Sequence, residues 1–98
     1  MLTGKQRATL RAKANGLNPY FQIGKGGIGD NMVADIAAAL EAHELVKITV
    51  LKTAEGTPKE LLGRIAEATG AEEISAVGNK IVIYKRSSRD DVAHIELN

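Results

Sequence analysis

A chain of 98 residues, with 44% hydrophobic and 26% charged side chains, is long enough for one domain with a real core and too short for two lobes. Thirteen basic residues stand against twelve acidic ones, so the net charge of +1 does not by itself indicate a nucleic-acid partner. The absence of cysteine excludes disulfides and thiolate metal sites, and no apolar run approaches the roughly 18 residues of a membrane span. The N-terminus lacks a signal-peptide pattern, so we expect a single cytoplasmic domain covering residues 1–98.

The first helix is predicted to begin at Thr3, because Thr3-Gly4-Lys5-Gln6 has the form of a capping box. Leu10, Ala14 and Leu17 keep helical spacing, and Asn15-Gly16 ends the helix. The helix also carries four basic residues, Lys5, Arg7, Arg11 and Lys13. Residues 1–29 contain no acid, so the segment is electropositive up to the glycine-rich stretch that follows it. Alternatively, the basic side chains of the first helix are simply its solvent-exposed face and bind nothing.

A short first strand is predicted over residues 20–23, after a break at Asn18-Pro19. It leads into Ile23-Gly24-Lys25-Gly26-Gly27-Ile28-Gly29-Asp30, in which four glycines in six residues allow close approach by another molecule. The N–H groups of such a turn and of the helix behind it form an anion site, and Lys25 adds a positive charge. Phosphate is the expected ligand of such a site, although the carboxylate of Asp30 at the start of the helix competes with it.

A second helix with one apolar face follows over about residues 30–43. His43 lies in its last turn, where we expect it to interact with the C-terminal carbonyls rather than with a metal. The alternation of residues 45–51 predicts a second strand that is buried on one side. Because a helix links the two strands, they are expected to be parallel, through a right-handed crossover.

The third helix has the clearest start in the chain, since Thr57-Pro58-Lys59-Glu60 combines a capping box with proline at the first helical position. Gly70 fits the left-handed position at its end. Strands over residues 73–77 and 80–85 flank Gly78-Asn79, a pair suited to a tight hairpin. The fourth strand is apolar on both faces and is therefore predicted to be central.

Residues from about 87 to 98 are expected to form a looser C-terminal tail after a polar break. The element order is then α-β-α-β-α-β-β. It predicts an α/β fold, a two-layer sandwich with a mixed four-stranded sheet.

Two phosphate-binding patterns can be read in the glycine stretch. Gly24, Gly26 and Gly29 spell G-x-G-x-x-G, the dinucleotide fingerprint, but the preceding strand is short and no acid ends the second strand. The chain also cannot supply both halves of a dinucleotide-binding domain. Residues 24–27 alternatively spell G-x-x-G, the loop that clamps a nucleic-acid backbone in KH domains. A turn without any ligand is the plain alternative to both.

Across nearly its whole length the sequence resembles the bacterial YhbY family of stand-alone CRM (chloroplast RNA splicing and ribosome maturation) domains. The resemblance is carried by four blocks: Leu2-Thr3-Gly4-Lys5-Gln6, Ile23-Gly24-Lys25-Gly26-Gly27-Ile28, His43-Glu44-Leu45-Val46-Lys47-Ile48 and Val77-Gly78-Asn79-Lys80-Ile81-Val82-Ile83-Tyr84-Lys85. It implies an RNA-binding domain folded like the C-terminal domain of translation initiation factor three. It also implies a role in ribosome assembly, on ribosomal RNA of precursor large ribosomal subunits. The family's loop maps onto Gly24 to Gly27, while Gly29 departs from the serine or threonine helix cap expected there.

The residues fit this role independently of the resemblance. One phenylalanine and two tyrosines cannot make an aromatic sheet platform for stacking bases, so recognition is expected to run through the RNA backbone. The predicted RNA-binding residues are those of the loop and of the basic patch: Gly24, Lys25, Gly26, Gly27, Lys5, Arg7, Arg11, Lys13 and Lys85.

We find no catalytic grouping and no helix-spaced set of metal ligands in the sequence. We therefore expect a monomer that is not an enzyme and that has no cofactor, no metal site and no membrane contact. Two alternatives stay open. One is a protein-interaction adaptor of the assembling ribosome that uses the acidic second and third helices, and the other is a nucleotide-binding domain that uses the glycine loop.

Overall fold

The computed structural model describes residues 2–97, and its elements follow the predicted order. The helices are α1 (Gly4–Ala14), α2 (Asp30–His43) and α3 (Pro58–Thr69). The strands are β1 (Phe21–Ile23), β2 (Leu45–Val50), β3 (Glu72–Val77) and β4 (Lys80–Tyr84). The α-β-α-β-α-β-β order with a mixed four-stranded sheet is confirmed. None of the helices within residues 2–97 has both the length and the apolar character needed to cross a membrane.

Two of the helices begin where the local sequence predicts. Thr3 and Gln6 exchange hydrogen bonds of 2.9 and 3.1 Å at the start of α1. Thr57 and Glu60 exchange bonds of 3.0 and 3.2 Å at the start of α3. Each reciprocal pair satisfies backbone donors that the helix itself leaves unpaired. Gly70 ends α3 in the left-handed conformation, with a φ of 73°.

The strands lie in the order β1-β2-β4-β3, with β1 parallel to β2 and the other neighbours antiparallel. The prediction that β4 is central is confirmed, since it pairs with a strand on each side. Gly78 and Asn79 form the two-residue turn between β3 and β4, and only Gly78 has a positive φ, of 59°. A positive φ at the first position alone is typical of a type II′ hairpin turn.

Buried apolar side chains cover both faces of the sheet. The cluster on one face joins the strands to α2 and α3 and includes Ile36, Leu40, Ile48, Leu61 and Ile83. The cluster on the other face joins them to α1 and includes Leu10, Ala14, Leu45, Ile74, Val82 and Tyr84. The sheet with α2 and α3 therefore forms the predicted two-layer sandwich, and α1 packs on the opposite face of the sheet. Helices are needed on both faces of the sheet because β4 is apolar on both faces, and a face without a helix would expose apolar surface to water.

The connection from α2 to β2 contains a fully buried carboxylate, that of Glu44, whose φ is 67°. It accepts hydrogen bonds from the backbone N–H of Ser87 at 2.7 Å, the backbone N–H of Ile95 at 2.7 Å and Nδ1 of His94 at 2.6 Å. Burial raises the pKa of Glu44, but the bonds from His94, Ile95 and Ser87 outweigh burial and hold the pKa below its usual range. All three donors belong to the C-terminal segment, so Glu44 fastens that segment to the domain.

The described part of the predicted tail, residues 87–97, also makes contacts beyond Glu44. Ile95 and Leu97 pack against the apolar cluster beneath α1. The side chain of Gln6 donates to the carbonyl oxygen of Leu97 at 3.3 Å, which joins the tail to α1. The final residue of the predicted tail, Asn98, lies outside the described residues.

Candidate nucleic-acid interface

The glycine stretch forms a tight turn over Gly24–Gly27, which we call the GxxG turn. The backbone N–H of Gly27 donates to the carbonyl oxygen of Gly24 at 3.0 Å, so Lys25 and Gly26 occupy the two central positions. Both of these residues are exposed, and a Cβ atom added to Gly26 would meet nothing within 4 Å. Gly27 has a φ of 68°, which favours glycine. The tip of the turn is therefore exposed and accessible to a ligand.

The base of the GxxG turn is fixed to the end of β2. The N–H of Leu51 donates to the carbonyl oxygen of Ile23 at 2.8 Å. A Cβ atom on Gly24 would lie 3.4 Å from Leu51 Cδ1 and 3.4 Å from Thr53 Oγ1, in close van der Waals contact with both side chains. Glycine at position 24 thus lets the turn sit close against the β2–α3 loop, which holds the tip in a defined place.

Helix α2 begins directly behind the turn and has no side-chain cap. Gly29 is its N-cap, and no side chain bonds to the first-turn N–H groups, as the absence of serine or threonine at this position predicts. These donors are available to an anion. Asp30 occupies the first helical position, where its charge favours the helix and opposes a bound phosphate.

The turn shares one end of the sheet with the β3–β4 hairpin. Besides the bond between Leu51 and Ile23, the N–H of Val50 donates to the carbonyl oxygen of Asn79 at 2.7 Å. We call this end, where β1 and β2 finish and the hairpin lies, the turn end. At the far end, Leu45 pairs with Tyr84.

The basic residues of α1 do not form a single stripe. Arg7 and Arg11 are four residues apart and share the flank that faces β3, where the Arg7 guanidinium donates to the carbonyl oxygen of Glu73. Lys13 lies seven residues from Gln6 and shares its flank, which is the one beside the tail. The arginines and Lys13 therefore lie on opposite flanks of α1.

Lys5 is exposed on the outer surface of α1, nearly opposite the buried Leu10 around the helix axis. Its charge contributes to the positive field of the segment. A ligand in contact with the sheet would not touch it.

The structure corrects the predicted patch at Lys85. Its Nζ donates to the carbonyl oxygen of Thr69 at 3.1 Å, at the end of α3. Since β4 runs from Lys80 at the turn end to Tyr84 at the far end, roughly 17 Å of extended chain separate Lys80 from Lys85. Lys85 is thus far from the GxxG turn, because grouping residues by charge ignored the direction of the strand.

Two lysines at or near the turn end were not predicted as site residues. Lys47 Nζ donates to the carbonyl oxygens of Ala14 at 3.2 Å and Leu17 at 3.5 Å, so it caps the end of α1 from the sheet. Lys80 opens β4 beside the hairpin. The sequence does contain a signal for Lys47, since it alternates with the buried Val46 and Ile48 and must point to the other face.

The remaining polar groups offer little chemistry of other kinds. Within residues 2–97, no group of three potential metal ligands comes together. The predicted role of His43 in binding helix carbonyls is not what the structure records, because its ring stacks on Tyr20 with the ring centres 5.0 Å apart. The stack joins the residue before β1 to the last residue of α2.

Comparisons with known proteins agree with the resemblance noted in the sequence. The family model of the CRS1/YhbY (CRM) domain matches residues 2–85. The Bacillus subtilis protein YqeI, named a probable RNA-binding protein, is 44% identical over 90 residues, covering 92% of this chain and 94% of that protein. A Haemophilus influenzae protein named RNA-binding protein is 31% identical over 86 residues, covering 88% and 87%.

A solved structure extends the match to three dimensions. The solution structure of SAV1595 from Staphylococcus aureus, described as a candidate RNA-binding protein, has a TM-score of 0.77 and 43% sequence identity. The match covers 97% of this chain and 100% of that one. The family model includes the GxxG turn, α1 and all four strands. The chain therefore belongs to the CRS1/YhbY (CRM) domain family.

Proposed function

We propose that this protein binds RNA through the GxxG turn and the neighbouring basic side chains, and that it assists assembly of the large ribosomal subunit. Its RNA is ribosomal RNA in precursors of that subunit, and it acts in the cytoplasm as a monomer without a cofactor. RNA binding is supported by the names of the relatives. The ribosomal target is supported by the resemblance to stand-alone bacterial CRM domains.

The observation that carries the proposal is the exposed tip of the GxxG turn. Gly26 and Lys25 project from a turn that is fixed at its base, directly before a helix without a side-chain cap. A phosphate at the tip can accept hydrogen bonds from backbone N–H groups and from the Lys25 ammonium at the same time. Gly26 has no Cβ to stand between an RNA backbone and the peptide of the turn.

The charges around the turn support contact with the RNA backbone. Arg11 on α1, together with Lys47 and Lys80 on the sheet, places positive charge on the α1 face. Few aromatic rings are available for base stacking, since the chain has three aromatic residues and Tyr20 already stacks on His43. Recognition of phosphates and of RNA shape is what this composition favours.

No observation favours the adaptor alternative. It relies on acidic residues of α2 and α3, but Glu44 is fully buried and bonded to the tail. The carboxylate of Glu41 accepts hydrogen bonds from the hydroxyl groups of Ser87 and Ser88. These bonds hold the pKa of Glu41 below its usual range, Ser88 having the largest effect. Two of the acids are thus used within the domain itself.

The experiment that tests the proposal is ultraviolet crosslinking of the tagged protein in cells, followed by sequencing of the attached RNA. We expect crosslinks concentrated in precursor RNA of the large ribosomal subunit, and a strong reduction for Lys25→Glu. Arg86→Glu is the matched control, because Arg86 is exposed at the far end and undergoes the same charge change. Crosslinks spread over cellular RNA in proportion to its abundance would contradict the ribosomal assignment, and no crosslinks at all would contradict RNA binding.

A further inference from the structure

A cleft of about 390 Å³ opens on the α1 face of the sheet, between the C-terminal half of α1 and strands β3 and β4. Its apolar part is formed by Ala14, Val77 and Val82. Val77 is 71% exposed, an unusual position for a large aliphatic side chain on a strand. The volume lies within the range of roughly 300–1,000 Å³ that is typical of small-molecule sites.

The polar part of the cleft is entirely cationic or neutral. Arg11, Lys47 and Lys80 line it, together with Asn15 and Ser75, and no acidic residue does. Three positive charges around one cleft, in a chain with a net charge of only +1, are a local excess. An anion is therefore the ligand whose charge this cleft complements.

The fold supplies two of these polar groups through particular local features. Lys47 uses two of its three donors on the carbonyl oxygens of Ala14 and Leu17, which leaves one for a ligand. A bulge in β3 brings Ser75 opposite Val82, whereas Glu73 pairs with Ile83. The bulge aims Ser75 into the cleft while Ile74 beside it packs into the core under α1.

The cleft lies close to the GxxG turn. Lys80 pairs with Thr49 of β2, and Thr49 is aligned with Gln22 of β1, one residue before the strand ends. Two strand spacings, roughly 10 Å, therefore separate Lys80 from the base of the GxxG turn. An RNA strand a few nucleotides long can occupy both places.

We infer that this cleft holds one unpaired nucleotide of the bound RNA, with its base against Val77 and Val82 and its phosphate among Arg11, Lys47 and Lys80. The inference rests on the proposed function, since it assumes that the protein binds RNA. It adds that an unpaired nucleotide strengthens binding, because a base inside a duplex cannot enter a cleft. Aliphatic walls accept any base face, so the cleft gives little preference among the four bases.

The test compares two RNAs with four proteins. One RNA is a hairpin with a single-stranded loop, and the other is a duplex of the same length with no unpaired nucleotide. The proteins are wild type, Lys80→Ala, Val77→Ser and the control Arg86→Ala, which removes one positive charge at the far end. A thermal midpoint is measured for each protein, and neither cleft variant removes a buried side chain.

We expect Lys80→Ala to weaken binding of the looped hairpin roughly three- to ten-fold and to reduce the magnitude of its slope against log salt by about 0.7. Val77→Ser weakens the same binding without changing the slope. Both variants lose less affinity for the duplex than for the hairpin, and Arg86→Ala matches wild type on both RNAs.

The outcomes separate the two proposals. If wild type binds neither RNA, the proposed function fails. If wild type binds RNA but Lys80→Ala and Val77→Ser leave affinity for the looped hairpin unchanged, only the cleft inference fails. An equal loss for hairpin and duplex in Lys80→Ala would also overturn the inference, because it would make Lys80 a general electrostatic contact.

Discussion

The backbone N–H of Gly27 lies 3.0 Å from the carbonyl oxygen of Gly24, and this single hydrogen bond sets the different roles of the four residues in the GxxG turn. Gly24 is packed against the β2–α3 loop, and Gly27 requires a positive φ. Lys25 and Gly26 are exposed and have no such requirement. The structural roles and the proposed ligand-binding role thus fall on different positions of one short turn.

This division predicts different effects of alanine at Gly26 and Gly27. Gly27→Ala is expected to destabilise the domain by roughly 1 kcal/mol, because an L-residue at a φ of 68° is strained. Gly26→Ala is expected to change stability by less than about 0.5 kcal/mol, since its φ is not positive and its Cβ meets no neighbour. Urea denaturation midpoints of the two variants check this. Equal midpoints would show that the turn has a different conformation in solution.

The buried carboxylate of Glu44 predicts a loss of stability in acid. Its folded pKa is lowered, so its contribution is complete above the ordinary glutamate pKa of about 4.3 and is lost as the pH falls through the lowered value. Glu44→Gln should therefore be less stable than wild type at pH 7, by on the order of 1 kcal/mol, and should lose less on acidification. Denaturant midpoints at neutral pH and near pH 3 measure the difference in stability at neutral pH and the loss of stability on acidification. Parallel pH profiles for the two proteins would refute this role for Glu44.

The features that could be predicted from sequence are those set by neighbouring residues. The capping boxes at Thr3 and Thr57 and the hairpin at Gly78 each depend on residues a few positions apart, and each is confirmed. Family-specific blocks then made the whole domain recognisable. The GxxG turn belongs partly to this group, since the hydrogen bond that closes it joins two of its own residues, while its base is fixed by the end of β2.

The features that escaped prediction depend on partners far away in the chain. In the sequence Glu44 is one of several acids in and directly after α2, yet its donors His94 and Ile95 lie 50 and 51 residues further on. The cationic cleft combines Arg11, Lys47 and Lys80 through helix placement and strand register, neither of which charge counting reveals. Lys85 was grouped with the turn for the same reason and lies at the far end.

The proposed phosphate contacts predict a strong dependence of RNA affinity on salt. Each phosphate neutralised by a lysine or arginine contributes about −0.7 to −0.9 to the slope of log K against log salt concentration. Contacts by Lys25, Arg11 and one or two further cations therefore predict a slope of roughly −2 to −4. Fluorescence anisotropy with a structured RNA over a series of potassium chloride concentrations gives the slope directly. An affinity that does not change with salt would exclude a backbone-directed mode of binding.

The central claim is that the GxxG turn contacts RNA, and the most direct measurement is the RNA affinity of Lys25→Glu at a fixed salt concentration. The change removes a cation and places a carboxylate against a phosphate, and each effect is worth on the order of 1 kcal/mol near a surface. We predict at least a roughly ten-fold loss of affinity with an unchanged denaturation midpoint, because Lys25 is exposed and supports no part of the core. Arg86→Glu, with the same charge change at the far end, is predicted to stay within about two-fold of wild type. Unchanged affinity and an unchanged midpoint for Lys25→Glu would contradict the account and leave the turn as a simple chain reversal.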